Sequence, residues 1–110
     1  MAKRTRYLPA LAELFRILGD QTRLRILMEL QDGPLNVTAL VKKLRMHQPT
    51  VSHHLGLLRR GQLVVARRSG KQIFYSLNEG KSVGERALRA VQSGSGGLKV
   101  GSLMFGVVKT

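Results

Sequence analysis

The chain contains no cysteine. Disulfide staples, thiol-based redox sensing and cysteine-ligated metal are therefore excluded, and a reducing compartment suits it. Acidic residues are scarce as well. Six Asp and Glu face 19 Lys and Arg, a formal net charge of +13 over 110 residues. Between Asp32 and Glu79 there is no carboxylate, so nothing acidic joins His47, His53 and His54 in a metal site. His53 and His54 are neighbours, and on a helix they point about 100° apart, too far to chelate one ion together. No Ser-His-acid set and no phosphate-cradling loop is evident, so an enzyme is not expected, nor is a cofactor. No apolar run approaches the roughly 20 residues of a membrane helix. Met1–Tyr7 is basic but leads into no apolar stretch of about 7–15 residues, so no secretory signal is expected and the expected location is the cytoplasm.

What is present is a folding sequence. Hydrophobic residues make up 43% of it, enough for one domain with a modest core or for one protomer of an oligomer. The positive charge is unevenly spread. Residues 1–35 carry a net +2, residues 36–80 a net +7 and residues 81–110 a net +4. Such an excess calls for a polyanionic partner, nucleic acid first among them, although a generally basic solubilising surface would share the composition.

Leu8, Leu11, Phe15 and Leu18 recur at helical spacing, with Pro9 tolerable in the first turn. Gly19 ends this helix, and Asp20 is an N-cap for a second one whose apolar face is Leu24, Leu27, Met28 and Leu30. Gly33-Pro34 stops it. Asn36 caps a third helix bearing Val37, Leu40, Val41 and Leu44, and a turn through Arg45-Met46-His47 leads into a fourth, about Gln48 to Arg60. His47 is a poor cap, while Pro49 sits in the first turn, where its missing N–H costs nothing. Two short helices joined by a tight turn have helix-turn-helix spacing. Strands Leu63–Arg68 and Lys71–Leu77 follow, with Ser69-Gly70 as the tip of a hairpin and Ile73, Tyr75 and Leu77 facing inward. Lys81–Gln92 reads as a weaker helix interrupted by Gly84, followed by the flexible SGSGG link and the apolar LKVGSLMFGVVKT. This divides the chain into residues 1–92, which carry binding and dimerisation, and a linker and tail over residues 93–110.

On the fourth helix, Val51, Leu55 and Leu58 cluster within about 60° and face the core, while Pro49, His53, Gly56 and Arg60 lie opposite. Ser52 and Arg59 occupy one flank, Thr50 and His54 the other. A helix of this kind enters a major groove N-terminus first, which selects Gln48, Thr50, Ser52 and His53 for base edges. His54 reads better as a packed histidine than as a base reader. In the hairpin, Arg67, Arg68 and Lys71 surround the turn with Gln72 just after it; they would grip phosphates or enter the minor groove, or else guard the sheet edge against aggregation.

The run GDQTRLRILMELQDGPLNVTALVKKLRMHQPTVSHHLGLLRRGQLVVARRSGKQIFYSLN resembles the ArsR/SmtB family of bacterial winged-helix repressors. The likeness covers about Leu11 to Asn78 and rests on TRLRIL, the QPTVSHHL helix, the LLRRGQLV exit and a wing ending in YSL. It implies a mainly α fold with a small β-hairpin (α+β). This is a winged helix-turn-helix with a three-helix core, a two-stranded wing and N- and C-terminal dimerisation helices. It further implies a homodimer in which the first and last helices pair, through Leu8, Leu11, Phe15, Leu88 and Val91. Carried over position by position, Gln48, Thr50, Ser52 and His53 fall where the family reads bases, and Arg67, Arg68 and Lys71 fall on its wing; Arg59 and Gln72 join them as DNA contacts. The family's sensor residues do not carry over. Asn36 and Thr38 stand where metal-sensing members have paired cysteines, and Ser82–Gln92 offers no His or Asp and only Glu85.

The sequence therefore leads to a dimeric, sequence-specific regulator of transcription, a repressor, whose partner is double-stranded DNA and which needs no metal. It either answers to an effector, small molecule or protein, outside the familiar sensor chemistry or represses constitutively. Two other classes stand beside it: a non-specific architectural DNA binder, favoured by the charge, and a winged-helix protein-interaction module, favoured by the apolar tail.

Overall fold

The computed structural model describes residues 6–79 together with Ser82, Gly84 and Arg86. In chain order these form α1 (Leu8–Leu18), α2 (Gln21–Glu29), a 3-10 turn (Leu30–Asp32), β1 (Leu35–Asn36), α3 (Val37–Leu44), α4 (Gln48–Arg60), β2 (Val64–Ser69) and β3 (Gln72–Leu77). The strands make one antiparallel sheet in the order β1-β3-β2. Leu88, Val91, most of the expected helix over Lys81–Gln92, and the linker and tail of 93–110 lie outside the described residues.

The helix boundaries follow local chemistry. Pro9 sits in the first turn of α1, where no intrahelical donor is lost. Asp20 takes an extended conformation and accepts the Arg23 N–H at 3.0 Å, capping α2; Asn36 does the same for α3 through the Ala39 N–H at 2.8 Å. Arg45 adopts a left-handed conformation (φ 55°) and Met46 N–H returns to the Val41 carbonyl at 3.3 Å, which turns the chain sharply from α3 into α4.

The core gathers Leu11, Leu14, Ile17 and Leu18 of α1, Ile26 and Leu27 of α2, Leu30, Leu40 and Leu44, the α4 stripe Val51, Leu55 and Leu58, and Leu63 with Val64. Two expected apolar faces are corrected. On α2, Met28 is exposed and Ile26 is fully buried. The inward stripe runs through Ile26, Leu27 and Leu30, and Met28 lies about 100° beyond Leu27. On α1, Leu8 and Phe15 remain 53% and 37% exposed, whereas Leu14 and Ile17 are buried and Leu11 packs into the chain's own core. After β3 the chain returns to α1: Ser82 is buried, and a side chain on Gly84 would meet Leu14 Cβ at 2.7 Å. Glycine there permits close approach to α1.

The wing differs from its expected form in three ways. Its sheet has a third strand, β1, with Leu35 opposite Tyr75 and Asn36 opposite Phe74. The strand pair closes at Ser69 opposite Gln72, so Gly70-Lys71 form the two-residue tip; φ is positive at Gly70 (63°) and not at Lys71, the pattern of a type II′ turn. Ile73 is exposed instead of inward, because its position opposite Arg68 near the tip lies beyond the core that receives Tyr75 and Leu77.

Candidate nucleic-acid interface

Helix α4 is held by its apolar stripe. Val51, Leu55 and Leu58 are essentially inaccessible, and Gln48, Thr50, Ser52 and His53 are all exposed on the remaining surface, together with Pro49, Gly56, Arg59 and Arg60. The four residues expected at base edges are therefore all exposed along the first half of α4, Ser52 and Thr50 on opposite flanks with His53 between them. His47 offers no capping bond; its carbonyl accepts the Val51 N–H at 3.1 Å, but the N–H groups of the first turn receive no side chain from it. That turn keeps its partial positive charge available to an anion.

Arg59 stands apart from this group. Eleven residues along the helix separate it from Gln48, roughly 16 Å of axial rise. There it lines an open cleft of about 500 Å³ with Gln62, Val64, Val65, Ala66, Asn78 and Arg86. The chain leaves α4 through Gln62, a non-glycine residue at φ 62°. Its N–H donates to the Arg59 carbonyl at 2.9 Å, and the Leu63 N–H donates to the Leu58 carbonyl at 2.9 Å.

The cations of the wing do not form one cluster. Successive strand residues point to opposite faces, so Arg67, opposite Phe74, and Arg68, opposite Ile73, project to different sides. Arg68 Nε donates to the Gly70 carbonyl at 3.1 Å, folding its guanidinium over the turn. Arg59, Arg67 and Lys71 are exposed and, among the described residues, take part in no ion pair. Gln72 is partly committed: its Oε1 accepts from Asn36 Nδ2 at 2.8 Å, leaving its own amide N–H groups for other partners.

His54 is a packed residue, as expected. Its side chain is 13% exposed, with Nδ1 3.1 Å from Arg23 Nη1 and 3.8 Å from Asp20 Oδ2. A guanidinium only donates, so the Nδ1 lone pair accepts and the imidazole proton belongs on Nε2. Burial pushes the His54 pKa below its ordinary value; Asp20 opposes this, and the Arg23 and His53 charges add to it. At neutral pH the contact with Asp20 is thus not an ion pair. The Arg23 N–H holds the Asp20 carboxyl below the usual range, with Arg23 and His54 charges adding to it against a partial burial penalty. The Arg23 side chain escaped the sequence reading, because an arginine in a helix ordinarily signals a solvated face. Its position on the stripe of Ile26, Leu27 and Leu30 was the available clue. The rings of His53 and His54 stand edge to face, 5.5 Å apart, and among the described residues no three His, Asp or Glu gather as a metal would need.

Four α-helices among the described residues, a helix-turn-helix over α3 and α4, and a cationic hairpin directly after it define a winged helix-turn-helix, a DNA-binding fold. A family profile for bacterial regulatory proteins of the arsR family matches residues 20–64, the stretch from the α2 cap to the first residue of β2. An uncharacterized HTH-type transcriptional regulator of Methanocaldococcus jannaschii is 43% identical over 65 residues, covering 58% of this chain and 73% of that one. The arsenical resistance operon repressor of Escherichia coli is 43% identical over 67 residues, covering 60% of this chain and 57% of its own length. Among solved structures, the homodimeric winged helix-turn-helix DNA-binding domain of Mb0332 from Mycobacterium bovis is 30% identical. It superposes with a TM-score of 0.65 over 82% of this chain and 79% of that one. The chain belongs to the ArsR family of transcriptional regulators. Its relatives are regulators and not enzymes, and among the described residues no helix is long and apolar enough to cross a membrane.

Proposed function

We propose that this chain represses transcription by binding a palindromic operator as a homodimer, with α4 in the major groove and the β2–β3 wing on the backbone or in the minor groove. The observation that carries the reading is that Gln48, Thr50, Ser52 and His53 are all exposed along the first half of α4, while the Val51–Leu55–Leu58 stripe of the same helix is fully buried. Gln48 suits bidentate bonding to adenine, Ser52 and Thr50 bond to several bases, and the Thr50 methyl can meet that of thymine. Arg59, Arg67, Arg68, Lys71 and Gln72 supply phosphate contacts, which position the protein without carrying sequence information.

Leu8 and Phe15, left exposed on α1, supply the dimer surface together with Leu88 and Val91, and Leu11 contributes its edge. Residues 1–92 then form the binding and dimerisation unit, and two-fold symmetry sets half-sites about 34–36 Å apart or a multiple of it. Control of this unit uses no thiol, since the chain has none.

The net charge of +13 favours a second reading, a sequence-independent architectural binder. Selection from a random duplex library, followed by competition against a scrambled duplex, separates the two. The operator reading expects enrichment of an inverted repeat and a specificity ratio of about 10³ or more. A ratio near one supports the architectural reading.

A further inference from the structure

Arg23 lies on the inward stripe of α2, within about 60° of Ile26, Leu27 and Leu30. A guanidinium is costly there unless its donors are used. It uses them on two other helices. Nε donates to the Ile17 carbonyl at 2.6 Å and Nη2 reaches the Arg16 carbonyl at 3.5 Å, both at the end of α1; Nη1 donates to His54 Nδ1 at 3.1 Å, in the middle of α4. One side chain thus joins the helix carrying Leu8 and Phe15 to the helix carrying Ser52 and His53. The titratable and charged groups around His54 are Asp20 at the α1–α2 junction, Arg23 on α2 and His53 on α4.

We propose that Arg23 and His54 are positioning residues for operator reading: the hydrogen bond between them, available only to a neutral imidazole, fixes α4 against the α1–α2 junction, and acid breaks it. This rests on the operator reading above. Protonation fills the Nδ1 lone pair and sets a cationic donor against a cationic donor across 3.1 Å. The nearest acceptor left is Asp20 Oδ2, 3.8 Å away and already occupied in capping α2 through the Arg23 N–H at 3.0 Å. A charged His54 closes on that carboxylate only by swinging away from Arg23, and the link that sets α4 against α2 is given up.

The sign is set by the folded state favouring the neutral ring. The link is fully present above the ordinary histidine value of about 6.5 and is lost as pH falls below it through the lowered folded value. His47 and His53 are also exposed on α4 and at its start, so acidification of the wild type alone is not diagnostic; a comparison with a variant that lacks the His54 imidazole isolates the link.

The test measures affinity of the full chain for its selected duplex in the wild type and in His54→Asn, at pH 7.5 and at an acid pH where nitrogen chemical shifts show the His54 ring protonated in the folded chain. The asparagine carbonyl stands close to where Nδ1 stands and accepts from Arg23 at both pH values. The ratio of wild-type to variant affinity is expected to fall about three- to tenfold on acidification, the scale of one partly exposed charge-assisted bond. Nitrogen chemical shifts of the free chain are expected to show His54 Nδ1 unprotonated at pH 7.5. A constant ratio in a chain that prefers its selected duplex overturns the positioning role alone. A protonated Nδ1 at pH 7.5 overturns the bond itself. A chain that prefers no duplex overturns the operator reading, and the role with it.

Discussion

Asn36 and Gln72, 36 residues apart in sequence, are joined by a side-chain hydrogen bond of 2.8 Å from Asn36 Nδ2 to Gln72 Oε1. The same asparagine caps α3, its Oδ1 accepting the Ala39 N–H at 2.8 Å. The start of the helix-turn-helix and the base of the wing tip are therefore tied through one amide, and β1 provides the register by setting Asn36 opposite Phe74.

The two halves of that amide separate by mutation. Asn36→Ser keeps a capping oxygen but cannot also reach Gln72, and its stability should stay within about 0.5 kcal/mol of the wild type; Asn36→Ala loses the cap as well and should cost about 1 kcal/mol. Urea unfolding of the two variants reads the difference.

Gln62 ends α4 in a left-handed conformation that costs a residue with a Cβ roughly 1–2 kcal/mol. Glycine removes that cost but gives back roughly 0.5–1 kcal/mol of chain entropy. Gln62→Gly should therefore stabilise the fold by about 0.5–1 kcal/mol, seen as a raised midpoint with an unchanged denaturant slope.

Much of this architecture was legible because the relevant residues are strong local signals. Asp20 and Asn36 announce helix starts, and Val51, Leu55 and Leu58 fix which side of α4 is buried. The misses share a cause. A two-residue strand such as Leu35–Asn36 is too short to show alternation, and the hairpin tip moved by one residue because pairing extends to Ser69 and Gln72. Ile26 and Met28 flank Leu27 on either side within one unbroken apolar run, so tertiary packing decides which of them turns inward. Strand alternation could have separated Arg67 from Arg68 in advance, whereas the reach of Arg23 to Ile17 and His54 depends on where three helices meet.

His47 leaves the first turn of α4 without a side-chain cap. His47→Asp supplies both a cap and a charge that suits the helix dipole, and should stabilise the free protein by about 1 kcal/mol. The same carboxylate faces phosphate at the helix N-terminus, so affinity for the selected duplex should fall. Thermal unfolding and a binding titration on one sample should show the two quantities moving in opposite directions.

Arg67 is free of ion pairs among the described residues, whereas Arg68 Nε is occupied by the Gly70 carbonyl. Arg67→Ala should lower the slope of log affinity against log salt by about one, the loss of a single phosphate contact. Arg68→Ala should lower it less. Titrations at several salt concentrations give both slopes.

The central claim, that the exposed face of α4 reads bases, is tested most directly by competition between the selected duplex and a scrambled one, using Ser52→Ala combined with His53→Ala. The double variant should lose about 10- to 100-fold on the selected duplex and little on the scrambled one, the scale of one or two base contacts. An equal loss on both duplexes would contradict base readout by this helix.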